Sequence, residues 1–175
     1  MEIFDKNLAK ALLTCYRYLE RVTASLDKIF QTRAMGSFAW QGSIELLTNK
    51  LIGLTERKTT LINLKIIIEK ALLTMDLQGA KLLVKKFVDC EKIEKIADNI
   101  KCSRRNVSRK INSAIQSFGM ALRRQNFSQE KVLNLIKSEN WIKQIQNSFI
   151  EKPTYAEDEI DDRFVRSVCL SIARA

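Results

Sequence analysis

Histidine is absent from this 175-residue chain, proline occurs once and glycine only five times. The missing histidine removes the usual general acid–base side chain of neutral pH and the commonest metal ligand. It also leaves Cys15, Cys90, Cys102 and Cys169 without partners for a mixed zinc site, and these lie far apart with no C-x-x-C spacing. They read as small buried hydrophobes of a reducing cytoplasm. A glycine-rich phosphate loop is lacking, and no Ser or Cys has a recognisable activating partner. An enzyme is therefore the weakest reading, and no cofactor is expected. The acidic cluster Glu157, Asp158, Glu159, Asp161 and Asp162 lacks the glycine and ligand spacing of a calcium loop. Leu61–Ile68 is interrupted by Asn63 and Lys65, and the first residues show no charged leader followed by an apolar core. Neither a membrane span nor a signal peptide is expected, which places the chain in the cytoplasm.

What is present favours helices. Hydrophobic residues make up 46% and charged residues 29% of the chain, and with so few breakers the expected architecture is all-α. The net charge of +10 attracts polyanions, and its distribution is uneven. Residues 76–126 carry twelve basic and five acidic side chains, whereas residues 151–175 carry four basic and six acidic ones.

Four regions are expected. Residues 1–75 read as a long antiparallel helical hairpin that serves oligomerisation. Leu8, Leu12, Cys15, Leu19, Val22, Leu26 and Ile29 form a heptad seam in its first helix, over Asp5–Phe30. Thr32–Gly42, with Phe38 and Trp40, reads as the connecting loop. The second helix starts at Ser43 as N-cap and runs to about Met75, with Lys58 and Lys65 at seam positions where they restrict register. A hairpin alone leaves Ile62, Ile66, Ile67 and Leu73 uncovered, so it packs on the next region, on a second copy, or on both. Residues 76–126 form the basic region, opened by a helix over Asp76–Val88. Residues 127–150 supply one further helix or a pair, with Ser138 as candidate cap of the second, and residues 151–175 form an acidic and then apolar tail.

The chain centres on Ile93–Ala114. Ile93, Ile96, Ala97 and Ile100 line one helical face, Val107, Ile111 and Ala114 line another, and Lys101-Cys102-Ser103 separates them. Ser103 is placed to cap the second helix. Two short amphipathic helices joined by a tight turn make a helix-turn-helix, the unit that lays its second helix in the DNA major groove. With Val107 pointing inward, Arg105, Arg109, Asn112, Ser113 and Gln116 fall on the opposite side of that helix. Arg104 and Ser108 lie at its margin. Arg104, Arg105, Ser108 and Arg109, then Asn112, are the candidate base contacts, because the start of a recognition helix enters the groove most deeply. Lys92, Lys95, Lys101, Ser103 and Lys110 are the candidate phosphate contacts.

The same residues resemble region four of bacterial sigma factors and the related phage and firmicute regulators. That family shows an aliphatic or aromatic residue, two polar residues, Ile-Ala, a short run, a Gly-apolar-Ser turn, and Val four positions after the Ser. Ile93, Ile96-Ala97, Ile100, Lys101-Cys102-Ser103 and Val107 match without a gap. The resemblance covers about residues 76–122 and departs at Lys101, where the family has Gly for a left-handed turn. No counterpart of sigma region two is seen. The resemblance implies a transcriptional regulator that binds double-stranded DNA, expected to act as a homodimer through the N-terminal hairpin or by touching RNA polymerase. Two alternatives from other classes are a phage-type DNA-packaging adaptor that assembles as a small terminase-like ring, and a protein-interaction module that binds RNA polymerase.

Overall fold

The computed structural model describes residues 4–36 and 42–151. The helices in chain order are α1 (Lys6–Met35), α2 (Ile44–Thr74), α3 (Leu77–Leu83), α4 (Ile93–Asn99), α5 (Arg104–Arg124), α6 (Gln129–Leu135) and α7 (Asn140–Glu151). α3 continues into a π-helical segment, Val84–Val88, so the helix expected over Asp76–Val88 changes hydrogen-bond pattern halfway. No strand occurs among the described residues, and the all-α expectation holds.

Short polar side chains start the helices by accepting from backbone N–H groups of the first turn. Ser43 accepts from Leu46 and Ser103 from Asn106, both as expected, and Asp5, Asp76 and Ser128 do the same for α1, α3 and α6. Ser138 does not directly precede α7, because Glu139 stands between it and Asn140. α1 is also longer than its pattern suggested, and reaches Met35. Nothing from Gln31 to Met35 breaks a helix, and the Thr32 hydroxyl donates to the Lys28 carbonyl in the ordinary way. The first breaker is Gly36, at the C-cap. Phe38, Trp40 and the tail from residue 152 lie outside the described residues.

α1 and α2 run antiparallel, each about 45 Å long at about 1.5 Å per residue. Three polar contacts define the register: Tyr16 donates to Glu69 (2.8 Å), Lys65 pairs with Glu20, and Lys58 pairs with Asp27 (2.6 Å). The seam lysines thus find carboxylates on the neighbouring helix, which restricts how the two can slide. Lys65 holds the Glu20 carboxyl below its usual range, and Glu20 in turn raises the Lys65 ammonium.

Leu8, Leu12, Cys15, Leu19, Val22 and Leu26 are all buried, as the heptad requires. So are Ala9, Ala11, Leu13, Thr14 and Tyr18, so the first half of α1 is enclosed on nearly every side. It touches α2, α5, α7 and the π-helical segment. Burial of Cys15 there pushes its thiol up well above the ordinary value. One contiguous cluster of buried side chains extends from Phe4 to Phe149. Each fully buried leucine in it contributes on the order of 1.5–3 kcal/mol. Phe4 lies across α5 at Gly119, where an added Cβ would meet the Phe4 Cβ at 2.8 Å; only glycine permits that approach.

The α6–α7 end is fastened by a buried ion pair. Glu139 is fully buried and accepts from Arg57 Nε (2.9 Å), Arg57 Nη2 (3.0 Å) and Trp141 Nε1 (2.8 Å). Arg57 lies on α2, so this contact ties the last two helices to the hairpin. Of the four residues that a hairpin would leave uncovered, Ile67 is buried, whereas Ile62, Ile66 and Leu73 are exposed.

Candidate nucleic-acid interface

The candidate site is built on the turn between α4 and α5. α4 ends in a Schellman motif: the Cys102 N–H donates to the Ala97 carbonyl (3.0 Å) and the Lys101 N–H to the Asp98 carbonyl (3.2 Å). This closure puts the residue between them in the left-handed region, and Lys101 has φ 52°. Glycine is the easy residue there, and lysine holds the same conformation at a cost of about 1–2 kcal/mol. The sequence departs from the resembled pattern at this residue, yet the turn geometry is that of the glycine. Ser103 then caps α5, with its Oγ 3.3 Å from the Asn106 nitrogen.

Behind the turn, Ile96, Ala97, Val107 and Ile111 are buried in the common core, and α4 and α5 are in contact. Burying Val107 and Ile111 turns the other side of α5 outward. Arg105, Arg109, Asn112 and Gln116 are all exposed and form one row along the helix. No acidic residue occurs between Asp98 and Glu130, so α5 carries no carboxylate. Arg105 and Arg109 make no ion pair with any described residue. The free N–H groups and positive dipole end of α5 add to the same field.

The other candidates divide. Arg104 is tied back to α4 by an ion pair with Glu94 (3.2 Å), and Lys95 by one with Glu91 (3.1 Å). Ser108 is half-buried at the edge of the row. Lys92, Lys101, Ser103 and Lys110 are exposed around the turn, with Lys110 Nζ 3.9 Å from Cys102 Sγ. The structure therefore brings Arg105, Arg109 and Asn112 together on one open surface. It places Arg104 and Lys95 in internal pairs that sequence reading missed. Glu94 precedes Arg104 by ten positions across a turn, which no helical periodicity signals.

No group of His, Cys, Asp and Glu side chains among the described residues could hold a metal ion. A cleft of about 470 Å³ lies elsewhere, lined by Arg33, Lys50, Glu56, Arg57 and Ser138 with Gly53, Leu54 and Thr60. None of its lining residues belongs to α4 or α5. Among the described residues no helix is long and apolar enough to cross a membrane. Compared with protein-family models, with curated proteins and with solved structures, the chain matches none.

Proposed function

We propose that this chain is a sequence-specific DNA-binding transcriptional regulator that lays the first half of α5 in the major groove of double-stranded DNA. The observation that carries the reading is the acid-free exposed row Arg105, Arg109 and Asn112, which begins in the first turn after a capped helix–helix junction. Arg105 and Arg109 are the base readers, since a guanidinium donates two bonds to guanine O6 and N7, and Asn112 pairs in the same manner with adenine. Lys92, Lys101, Ser103 and Lys110 meet phosphates on either side. Arg104 and Lys95 join them by exchanging a surface carboxylate for a phosphate. RNA polymerase is the protein partner that the resemblance to sigma region four supplies.

The test is selection of bound sequences from a random duplex library, then fluorescence anisotropy on the selected site across a salt series. Each bidentate arginine discriminates by about 1–3 kcal/mol, so Arg105→Ala with Arg109→Ala lowers affinity for that site by about 30-fold or more. Affinity should also fall steeply with salt. Binding that is insensitive to both salt and the double substitution refutes the proposal.

A further inference from the structure

α2 carries apolar side chains on two sides, and only one of these is covered. Leu54, Leu61, Leu64, Ile67, Ile68 and Ala71 are buried. On the opposite side, at about 100° per residue, Ile52, Thr55, Thr59, Ile62 and Ile66 form a second stripe with alternating spacings of three and four, and Leu73 extends it seven positions on, past Glu69, whose carboxylate is engaged by Tyr16 and Lys65. Six of the eleven large hydrophobics exposed among the described residues lie on this one helix, so the uncovered apolar surface is concentrated rather than scattered. The threonines do not make the stripe polar. Thr55 and Thr59 donate their hydroxyls to the carbonyls of Leu51 and Thr55 on their own helix (3.0 and 2.9 Å), which satisfies the hydroxyl within the helix.

We infer that this stripe pairs with the same stripe of a second copy of the chain, antiparallel about a two-fold axis that passes between Ile62 and Ile66. Charge selects both the occupant and the register. Glu56 and Lys70 flank the stripe on one side, and neither has a partner among the described residues. They are fourteen positions apart on one straight helix, about 21 Å, and cannot meet within a chain. In the antiparallel register that sets Ile62 against Ile66 of the second copy, Leu73 lies against Thr55 of the second copy. Glu56 then comes within two positions, about 3 Å along the axis, of the level of Lys70 of the second copy on the same flank, within reach of both long side chains and twice by symmetry. The pairing involves neither DNA nor α5, so it stands or falls independently of the proposed function.

The experiment is sedentation equilibrium of the full chain without nucleic acid, with circular dichroism to verify helicity. The wild type is expected to show a reversible monomer–dimer equilibrium, and Ile66→Asp, at a position 40% exposed in the single chain, to remain helical and become monomeric. Glu56→Lys and Lys70→Glu should each weaken dimerisation about tenfold, by replacing two attractive contacts with two repulsive ones. The double variant Glu56→Lys with Lys70→Glu should recover the wild-type constant. A wild-type chain that stays monomeric overturns the inference, whether another segment or another partner covers the stripe. A dimer that survives Ile66→Asp, or a double reversal that is no better than the singles, also overturns it.

Discussion

Glu139→Ala removes the acceptor of three hydrogen bonds at once and tests how α6 and α7 are held to the hairpin. The two donors left behind are not equivalent. Trp141 is 5% exposed, so its indole N–H loses its acceptor in a place water barely reaches, at about 1–3 kcal/mol. The Arg57 side chain is 26% exposed and can turn its guanidinium to water, so its share falls below the 3–5 kcal/mol typical of breaking a fully buried pair. Together the loss should be about 3 kcal/mol, a fall in Tm of roughly 6–12 °C for a chain of this size. Urea denaturation followed by tryptophan fluorescence and by circular dichroism measures it. The reverse deletion, Arg57→Met, strands a carboxylate whose side chain is wholly buried, so it should be the more damaging of the two at neutral pH. A loss under about 1 kcal/mol for Glu139→Ala, or a milder effect from Arg57→Met, refutes the argument from exposure.

Lys101→Gly should separate folding from binding: relief at φ 52° outweighs the extra freedom of the unfolded chain by about 0.5–1 kcal/mol, while the slope of log affinity against log salt falls by about 0.9. A raised urea midpoint with an unchanged salt slope would remove Lys101 from the phosphate contacts. Alkaline pH should loosen the α1–α2 contact, because Tyr16 is raised above 10.0, first by burial and then by its bond to Glu69, and Lys65 is raised above 10.5, chiefly by its bond to Glu20. Groups with raised folded values stabilise fully below their unfolded values and lose that contribution as pH rises through the folded ones. Melting temperatures should therefore hold through neutral pH and fall above about pH 10, by less in Tyr16→Phe with Lys65→Met than in the wild type.

The helices were legible because they carry local signals. Ser43, Asp76 and Ser103 mark starts, and the seam from Leu8 to Leu26 marks a buried face, since capping and periodicity act within one or two turns. The open row on α5 was legible for the same reason, as the position of Val107 fixes where Arg105 and Arg109 point. Contacts between distant segments left no such trace. The enclosure of α1 comes from α5 and α7 as well as α2, and the small side chains of Ala9 and Ala11 gave no hint that they would be covered. Nothing local to Glu139 signals its burial, because its partner Arg57 stands eighty-two residues earlier. The π-helical turn at Val84–Val88 followed from no residue type that breaks a helix.

α5 belongs to two structures at once, and this bears on how the chain could act. Its second half, with Ile115, Phe118, Ala121 and Leu122, is buried in the core, and its first half projects the arginine row. A helix of 21 residues is stiff over its length of about 30 Å, so the direction of the row is set by packing far from the turn. α2 contributes to that packing through one side only: it touches α5, Leu64, Ile67 and Ala71 are buried, and Gln125 just past α5 reaches Thr74. Ile62 and Ile66 lie on the other side of α2, turned away from α5. Pairing through α2 and reading through α5 therefore compete for no surface, and a pair joined in this way would carry two arginine rows whose relative placement is fixed by the core of each chain. Repacking Phe4 over Gly119 should accordingly disturb recognition without touching a single residue of the row.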